Sequence, residues 1–463
     1  MPFNSFADYP MTWRPTLPAG RRPLYLTLAE LLERDIRQGL LRPGTKLPPQ
    51  RELADFLDIN VSTVSKAFRL AGEKGLLSSA VGSGTFVSYD ALSSARLVAP
   101  FSAHIIDMGA TVPKSSSYDP ALDELRRMLS EPDAARWLCH HADDDPGWFW
   151  QKETAASLLS QCGISAAPEQ IVFSCGGQNG ITAALSALFR PGDLIAVDDH
   201  IYPGFKTAAA MFGLRLLPIP MTAQGMDLSV LANKLRSEPI KGLYLIPACQ
   251  NPTTVTMPLP ARKEAARLIQ DHHLILIEDG TYQLTEDGTP AVASFAPHQS
   301  VFLMSLSKIL SPGLRIGILT AAAPFFETIA DALYSLNVSV TPLMEELASR
   351  LIASGKYQEI LAMHKEKTKN RDRIIREYFP RILCRGKDTD IFRWLLLPTS
   401  WIGDAFAGAA LSRGVRIYSA SKFAVGRTKP AAAVRLSIDA PASEEELRQG
   451  LHILQNLWHS SPE

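Results

Sequence analysis

The sequence is short of several features that would each have pointed somewhere definite. Its 463 residues hold five cysteines, at positions 139, 162, 175, 249 and 384, with no Cys-x-x-Cys spacing. An odd, scattered set builds neither a disulfide framework nor a zinc site, and it suits a reducing compartment. Neither charge is in surplus, since Lys plus Arg and Asp plus Glu both stand at 47. Bulk electrostatics therefore neither demand nor forbid a polyanionic partner, and any basic patch has to be local. No apolar run has the length of a membrane span, and the N-terminus lacks a basic stretch followed by an apolar one. A cytoplasmic protein is expected. What the chain does have is bulk: 46% hydrophobic and 20% charged residues describe globular material with a large core, and the length suggests about three domains.

The most informative stretch is residues 305–317, Ser-Leu-Ser-Lys-Ile-Leu-Ser-Pro-Gly-Leu-Arg-Ile-Gly. It follows the apolar run Val301-Phe302-Leu303-Met304, which places Lys308 at the end of a buried strand, pinned by a turn. Ser305 and Ser307 precede the amine, and Arg315 follows beyond a Pro-Gly turn, so hydroxyls and a guanidinium can converge on one phosphate beside it. Pyridoxal phosphate needs that set: a lysine for its aldehyde and several donors for its phosphate.

The N-terminal part reads differently. Residues 1–20 carry four prolines and no periodicity, as in an arm or irregular lead-in. Leu28, Leu31, Leu32 and Ile36 then recur at helical spacing, and Gly39 with Pro43-Gly44 closes that helix. A second helix from Gln50 to about Leu57 would bury Leu53, Ala54 and Leu57, and Asn60 is a good N-cap for a third. On the third, Val64, Ala67, Phe68 and Ala71 share one face, while Ser62, Thr63, Ser65, Lys66 and Arg69 share the other. Two short helices with hydroxyls, an amine and a guanidinium facing outward match a helix-turn-helix in a major groove. Residues 76–81 and 85–87 flank Gly82-Ser83-Gly84 as a hairpin, the wing. A small accessory domain with a solvated polar face is the plainer alternative.

Residues 24–87 resemble the winged helix of GntR-type repressors, carried by Leu47-Pro48-Pro49-Gln50-Arg51-Glu52-Leu53-Ala54 and Gly82-Ser83-Gly84-Thr85-Phe86-Val87. The resemblance implies DNA contacts from Arg51, Ser62, Thr63, Lys66, Arg69 and the wing glycines Gly82 and Gly84. Val61 stands where that family often has arginine, so operator preference does not carry over. The winged helix-turn-helix is assigned to residues 20–88 and a short linker to 89–103.

From 104 to 463 strand runs alternate with helical patterns, which predicts an α/β domain with a mostly parallel sheet. Each run ends beside something chemical, as expected where ligands gather at the carboxyl ends of strands. Ile171-Val172-Phe173 leads to Gly176-Gly177-Gln178 and a helix start, a place for phosphate. Leu194-Ile195-Ala196-Val197 leads to Tyr202-Pro203-Gly204, an aromatic that can lie on a pyridine ring or simply sit in the core. Leu243-Tyr244-Leu245-Ile246 leads to Asn251-Pro252, a hydrogen-bond donor or a plain turn. Leu274-Ile275-Leu276-Ile277 leads to Asp279 and Tyr282, where a buried carboxylate needs a cation, either a protonated ring nitrogen or an ordinary ion-pair partner.

These elements, in this order, resemble the fold type I aminotransferases. The resemblance implies pyridoxal 5'-phosphate held by Gly177, Gln178, Tyr202, Asn251, Asp279, Tyr282, Ser305, Ser307, Lys308 and Arg315, with Lys308 as the Schiff-base lysine. It divides the domain into a large part, about 104–340, and a small part, about 341–463. In the small part Ala433-Val434-Arg435-Leu436-Ser437 resembles the strand whose arginine grips an α-carboxylate, although a surface arginine would fit the same pattern. Where such dimers usually lend a tyrosine to the neighbour's phosphate, this chain has Cys139-His140-His141-Ala142-Asp143-Asp144, without one. The fusion of both modules resembles the MocR-type regulators. It implies a homodimeric, DNA-binding transcription factor that senses an amino acid, amine or the cofactor itself. An effector amine would displace Lys308, the small part would move, and half-site spacing would change. The alternative is a working amino-acid aminotransferase with an accessory DNA-binding module.

Overall fold

A computed structural model describes residues 11–18, 22–80, 84–89, 104–111, 119–139, 149–285, 288–308 and 310–461. The N-terminal domain is built from α1 (Leu24–Arg37), α2 (Gln50–Leu57), α3 (Val61–Glu73) and the antiparallel hairpin β1 (Leu77–Ala80) and β2 (Gly84–Val87). Leu28, Leu32 and Ile36 of α1 are fully buried against Val64, Ala67 and Ala71 of α3. The turn between α2 and α3 is tight because Asp58 adopts φ 52°, a left-handed conformation that aspartate tolerates. Asn60 then caps α3, its Oδ1 accepting from Ser62 N at 2.8 Å. Leu57, expected in the core, is only half-buried, since α2 is a two-turn helix that buries just Leu53 and Ala54.

The lead-in is irregular, yet part of it belongs to this core. Met11 and Trp13 are buried with the helices. Trp13 Nε1 donates to Asp35 Oδ2 of α1 at 2.9 Å, and Thr12 Oγ1 donates to Lys46 O. A segment without repeating backbone structure has no period to read, so its burial was invisible in the pattern.

The central sheet has seven strands in the order Ile171–Ser174, Gly317–Ala321, Ser300–Ser305, Ile275–Asp279, Ile240–Leu245, Leu194–Asp198 and Arg215–Ile219. Gly317–Ala321 runs antiparallel to both neighbours, and the other pairings are parallel. Apolar clusters cover both faces, which is why the strands read as continuous hydrophobic runs. The strand Arg215–Ile219 was not legible as one. It carries Pro218, tolerated because the strand is at an edge.

A second, antiparallel sheet of four strands (Cys384–Arg385, Phe392–Leu396, Ala433–Ser437, Tyr418–Ser419) forms the small part. Helix Glu444–His459 packs Leu447, Leu451, Leu454 and Leu457 into its core at heptad-like spacing. One segment crosses the boundary drawn from the sequence. Ile106–Asp107 pairs in parallel with Val415–Arg416 of the small part, so the start of the second domain is stitched to its end.

Candidate functional site

The carboxyl ends of the parallel strands, with the loop entering Gly317–Ala321, converge on one pocket. The helix Gly177–Leu188 starts there after Gly176, whose φ of +81° is open to glycine. A Cβ at Gly176 would stand 2.6 Å from Arg315 Nη2, and one at Gly177 would stand 3.3 Å from Ser305 Cβ. Arg315 itself has φ 54° and is anchored to Cys175 O at 3.2 Å and to Ser307 Oγ at 3.5 Å. Ser305 and Ser307 are buried. The start of a helix, two hydroxyls and a guanidinium thus lie together, the donor set that a phosphate dianion takes.

Beside it, Tyr202 precedes the helix Pro203–Met211, and its ring lies so close over Gly204 that a Cβ there would be 2.3 Å from Tyr202 Cε1. Gln178 Nε2 donates to Gly204 O at 3.0 Å, which leaves its buried Oε1 without a partner. Asp279 ends its strand fully inside the protein. It accepts from Thr281 N at 3.0 Å, from Thr281 Oγ1 at 2.5 Å and from Tyr244 OH at 3.2 Å. Burial holds its carboxyl above the usual range, and the groups opposing that are hydrogen-bond donors. Among the described residues it has no ion-pair partner, so the ordinary buried ion pair that the sequence allowed does not occur. A buried carboxylate without a cation is costly, and a protonated ring nitrogen is one group that would relieve it.

Lys308 closes the short turn Leu306–Lys308 that follows the strand Ser300–Ser305. Its Nζ donates to Thr111 O and, at 3.2 Å, to Thr111 Oγ1. Burial first, then the charges of Arg435 and Arg315, push its pKa down to about 8. Tyr282 is buried edge-to-face on Phe392, 5.6 Å between ring centres. Burial also raises its hydroxyl pKa.

Arg435 is not a surface arginine. It is completely buried, with the rings of Phe423, Phe392 and Tyr418 at 4.9, 5.5 and 5.7 Å from its Cζ. Nη1 donates to Asn251 Oδ1 at 2.8 Å and Nη2 to Gly109 O at 2.6 Å. Of five N–H groups three remain, including an Nε with no partner. Burial lowers its pKa to about 10, so it remains a cation at neutral pH and has donors left for a carboxylate. The pocket therefore brings together Gly177, Gln178, Tyr202, Asn251, Asp279, Tyr282, Ser305, Ser307, Lys308, Arg315 and Arg435. Four participants escaped the sequence reading: Tyr244, Thr281, Gly109 and Thr111. Thr281, two residues after Asp279, carried a readable turn signal; the segment 107–111 carried none, because it reaches the site only through the strand pairing at Ile106–Asp107. Residues 140–144, where a tyrosine was missed, lie outside the described residues.

The residues expected to read DNA are separate from this pocket. Arg51, Ser62, Lys66 and Arg69 are exposed and Thr63 is half-buried. Ser65, expected on the same outward face, is instead tied to Gln50 Oε1 of α2 at 2.5 Å. Gly84 opens β2 at φ +105°; Gly82 lies outside the described residues.

Comparison with known proteins agrees with both halves. Residues 151–454 match the model for aminotransferase class I and II, and residues 24–87 match that for bacterial regulatory proteins of the gntR family. The HTH-type transcriptional regulator YdeF of Bacillus subtilis (strain 168) is 45% identical over 459 residues, covering 99% of each chain. The probable rhizopine catabolism regulatory protein MocR of Rhizobium meliloti is 27% identical over 323 residues, 64% of each. Among solved structures, the α-aminoadipate aminotransferase LysN of Thermus thermophilus superposes with a TM-score of 0.68 at 23% identity, covering 77% of this chain and 92% of that one. A gntR-family winged helix joined to a full aminotransferase class I and II domain, aligned end to end with a transcriptional regulator, places this chain in the family of MocR-type HTH transcriptional regulators.

Proposed function

We infer that this protein regulates transcription by letting an amino acid or amine, bound at a pyridoxal phosphate site, change how its winged helix holds DNA. Of the residues assembled above, Gly177, Ser305, Ser307 and Arg315 would hold the phosphate, Tyr202, Asp279, Asn251 and Tyr282 would hold the ring, and Lys308 would supply the amine for the aldehyde. When bound, pyridoxal phosphate supplies an aldehyde for amines and a ring that withdraws electrons. Lys308, with its pKa pushed down to about 8, would hold a readily lost proton on Nζ beside that aldehyde. Arg435 receives the α-carboxylate by a bidentate fork.

The observation that carries the regulatory reading is a short ladder between pocket and DNA-binding domain. Val425 N donates to Asp199 O at 3.0 Å and Ile201 N to Phe423 O at 2.9 Å, with an antiparallel bridge between His200 and Ala424. This ties 423–425 to the three residues before Tyr202. Lys206, on the helix that follows Tyr202, donates to Ala424 O. The next residue, Gly426, accepts from Tyr89 N at 3.0 Å, two residues after the end of β2 of the wing. Phe423 meanwhile lies against Arg435. A ligand that moves Arg435 or Tyr202 therefore shifts the strip to which the wing is attached, as an element biased from both ends requires. A homodimer, with two winged helices reading two half-sites in the cytoplasm, belongs to this proposal.

Linkage tests it. DNA must change effector affinity by the factor by which effector changes DNA affinity, typically ~5–150-fold. Tyr89→Pro, which deletes the N–H donated to Gly426, is expected to bring that factor towards one, while Tyr89→Phe keeps it. An unchanged factor in Tyr89→Pro would refute the ladder. Steady release of an oxo acid from the amino acid when a second oxo acid is supplied as amino acceptor would move the reading to an aminotransferase.

A further inference from the structure

Beside Arg435 stands a further cation that the reading above does not use. Lys422 follows the strand Tyr418–Ser419, and its Nζ stands 4.6 Å from the centre of the Tyr418 ring. Arg435 flanks the same ring at 5.7 Å. The Tyr418 ring also packs on Gly109, where a Cβ would meet it at 2.9 Å, and Gly109 O is the carbonyl bound by Arg435. Lys422, Tyr418, Gly109 and Arg435 thus form one continuous wall.

That wall has too little negative charge. Among the described residues neither Lys422 nor Arg435 pairs with a carboxylate. Asp107, whose charge reaches Arg435, is already held by Arg416 at 3.0 Å and caps the N–H groups of Gly109 and Ala110. Lys422 is half-buried, and burial together with the charges of Arg435 and Lys206 lowers its pKa. A fully buried guanidinium and a half-buried ammonium around one ring, without an anion between them, are destabilising unless a ligand supplies the negative charge. One carboxylate satisfies the fork of Arg435. It leaves the ammonium, a compact point charge, for another acidic group.

We propose that Lys422 is the specificity-determining residue of the effector pocket, and that the effector class is amino acids with a second carboxylate on the side chain. This rests on the assignment of Arg435 to the α-carboxylate. The full-length, cofactor-loaded protein is titrated calorimetrically with aspartate, glutamate, their amides and alanine. At least one diacid is expected to bind roughly tenfold or more tightly than its amide, the range of a charged hydrogen bond. Lys422→Met should bring acid and amide close together, and Lys422→Arg should keep them apart; the cofactor's visible absorbance checks that both variants are folded. Equal binding of acids and amides by the parent, or a preference that survives in Lys422→Met, overturns the proposal while binding of alanine leaves the broader reading intact. If none of the five binds, the amino-acid reading fails and this proposal with it.

Discussion

Cofactor capture by Lys308 should depend on pH in a way set by its surroundings. Only the uncharged amine attacks an aldehyde. With a pKa of about 8 in place of the ordinary 10.5, the uncharged fraction at about pH 7.5 is about a quarter instead of about one in a thousand, a roughly two-hundred-fold gain. Burial is the largest cause, followed by Arg435 and Arg315. The same depression opposes folding of the cofactor-free protein: the cost is complete below about pH 8 and fades as pH rises towards 10.5, where the unfolded chain also loses the proton. The assay is stopped-flow absorbance after mixing cofactor-free protein with pyridoxal phosphate between pH 6 and 10. The rate should climb about tenfold per unit at the acid end and level off near pH 8. Arg435→Gln removes one of the two cations and should move the plateau to higher pH. A rate still climbing tenfold per unit through pH 9 in the parent would refute the argument, as would an unaltered profile in Lys308→Ala.

Two further outcomes follow from the N-terminal domain. Trp13→Ala should destabilise the winged helix by about 3–5 kcal/mol, the usual loss for a buried aromatic, and scanning calorimetry should show the lowest transition falling while that of the aminotransferase-like domain stays; an unchanged thermogram would mean the lead-in contributes nothing. Arg51→Ala and Lys66→Ala, both exposed, should each reduce the slope of log affinity against log salt by about one if they meet phosphate, which fluorescence anisotropy on operator DNA measures; unchanged slopes would exclude them as phosphate contacts.

The sequence by itself determined the two modules and most of the pocket, because both depend on local order. Helical spacing in α1 to α3 and alternating apolar runs fix which faces are buried, and chemistry at the end of each run lands at one edge of a parallel sheet whatever the details of packing. Lys308, Asp279 and Tyr202 were legible for that reason. What depends on long-range pairing was not. Trp13 joins a core through Asp35, and Gly109 and Thr111 enter the site because Ile106–Asp107 pairs with Val415–Arg416, about three hundred residues away. Asn251 and Arg435 were read separately, and their contact exists only once the small part folds over the large one. Only the tertiary structure decided that Arg435 is buried among three rings, that Asp279 has no side-chain cation among the described residues, and that Gly426 links wing to pocket. Burial and charge balance are sums over neighbours that no local pattern lists.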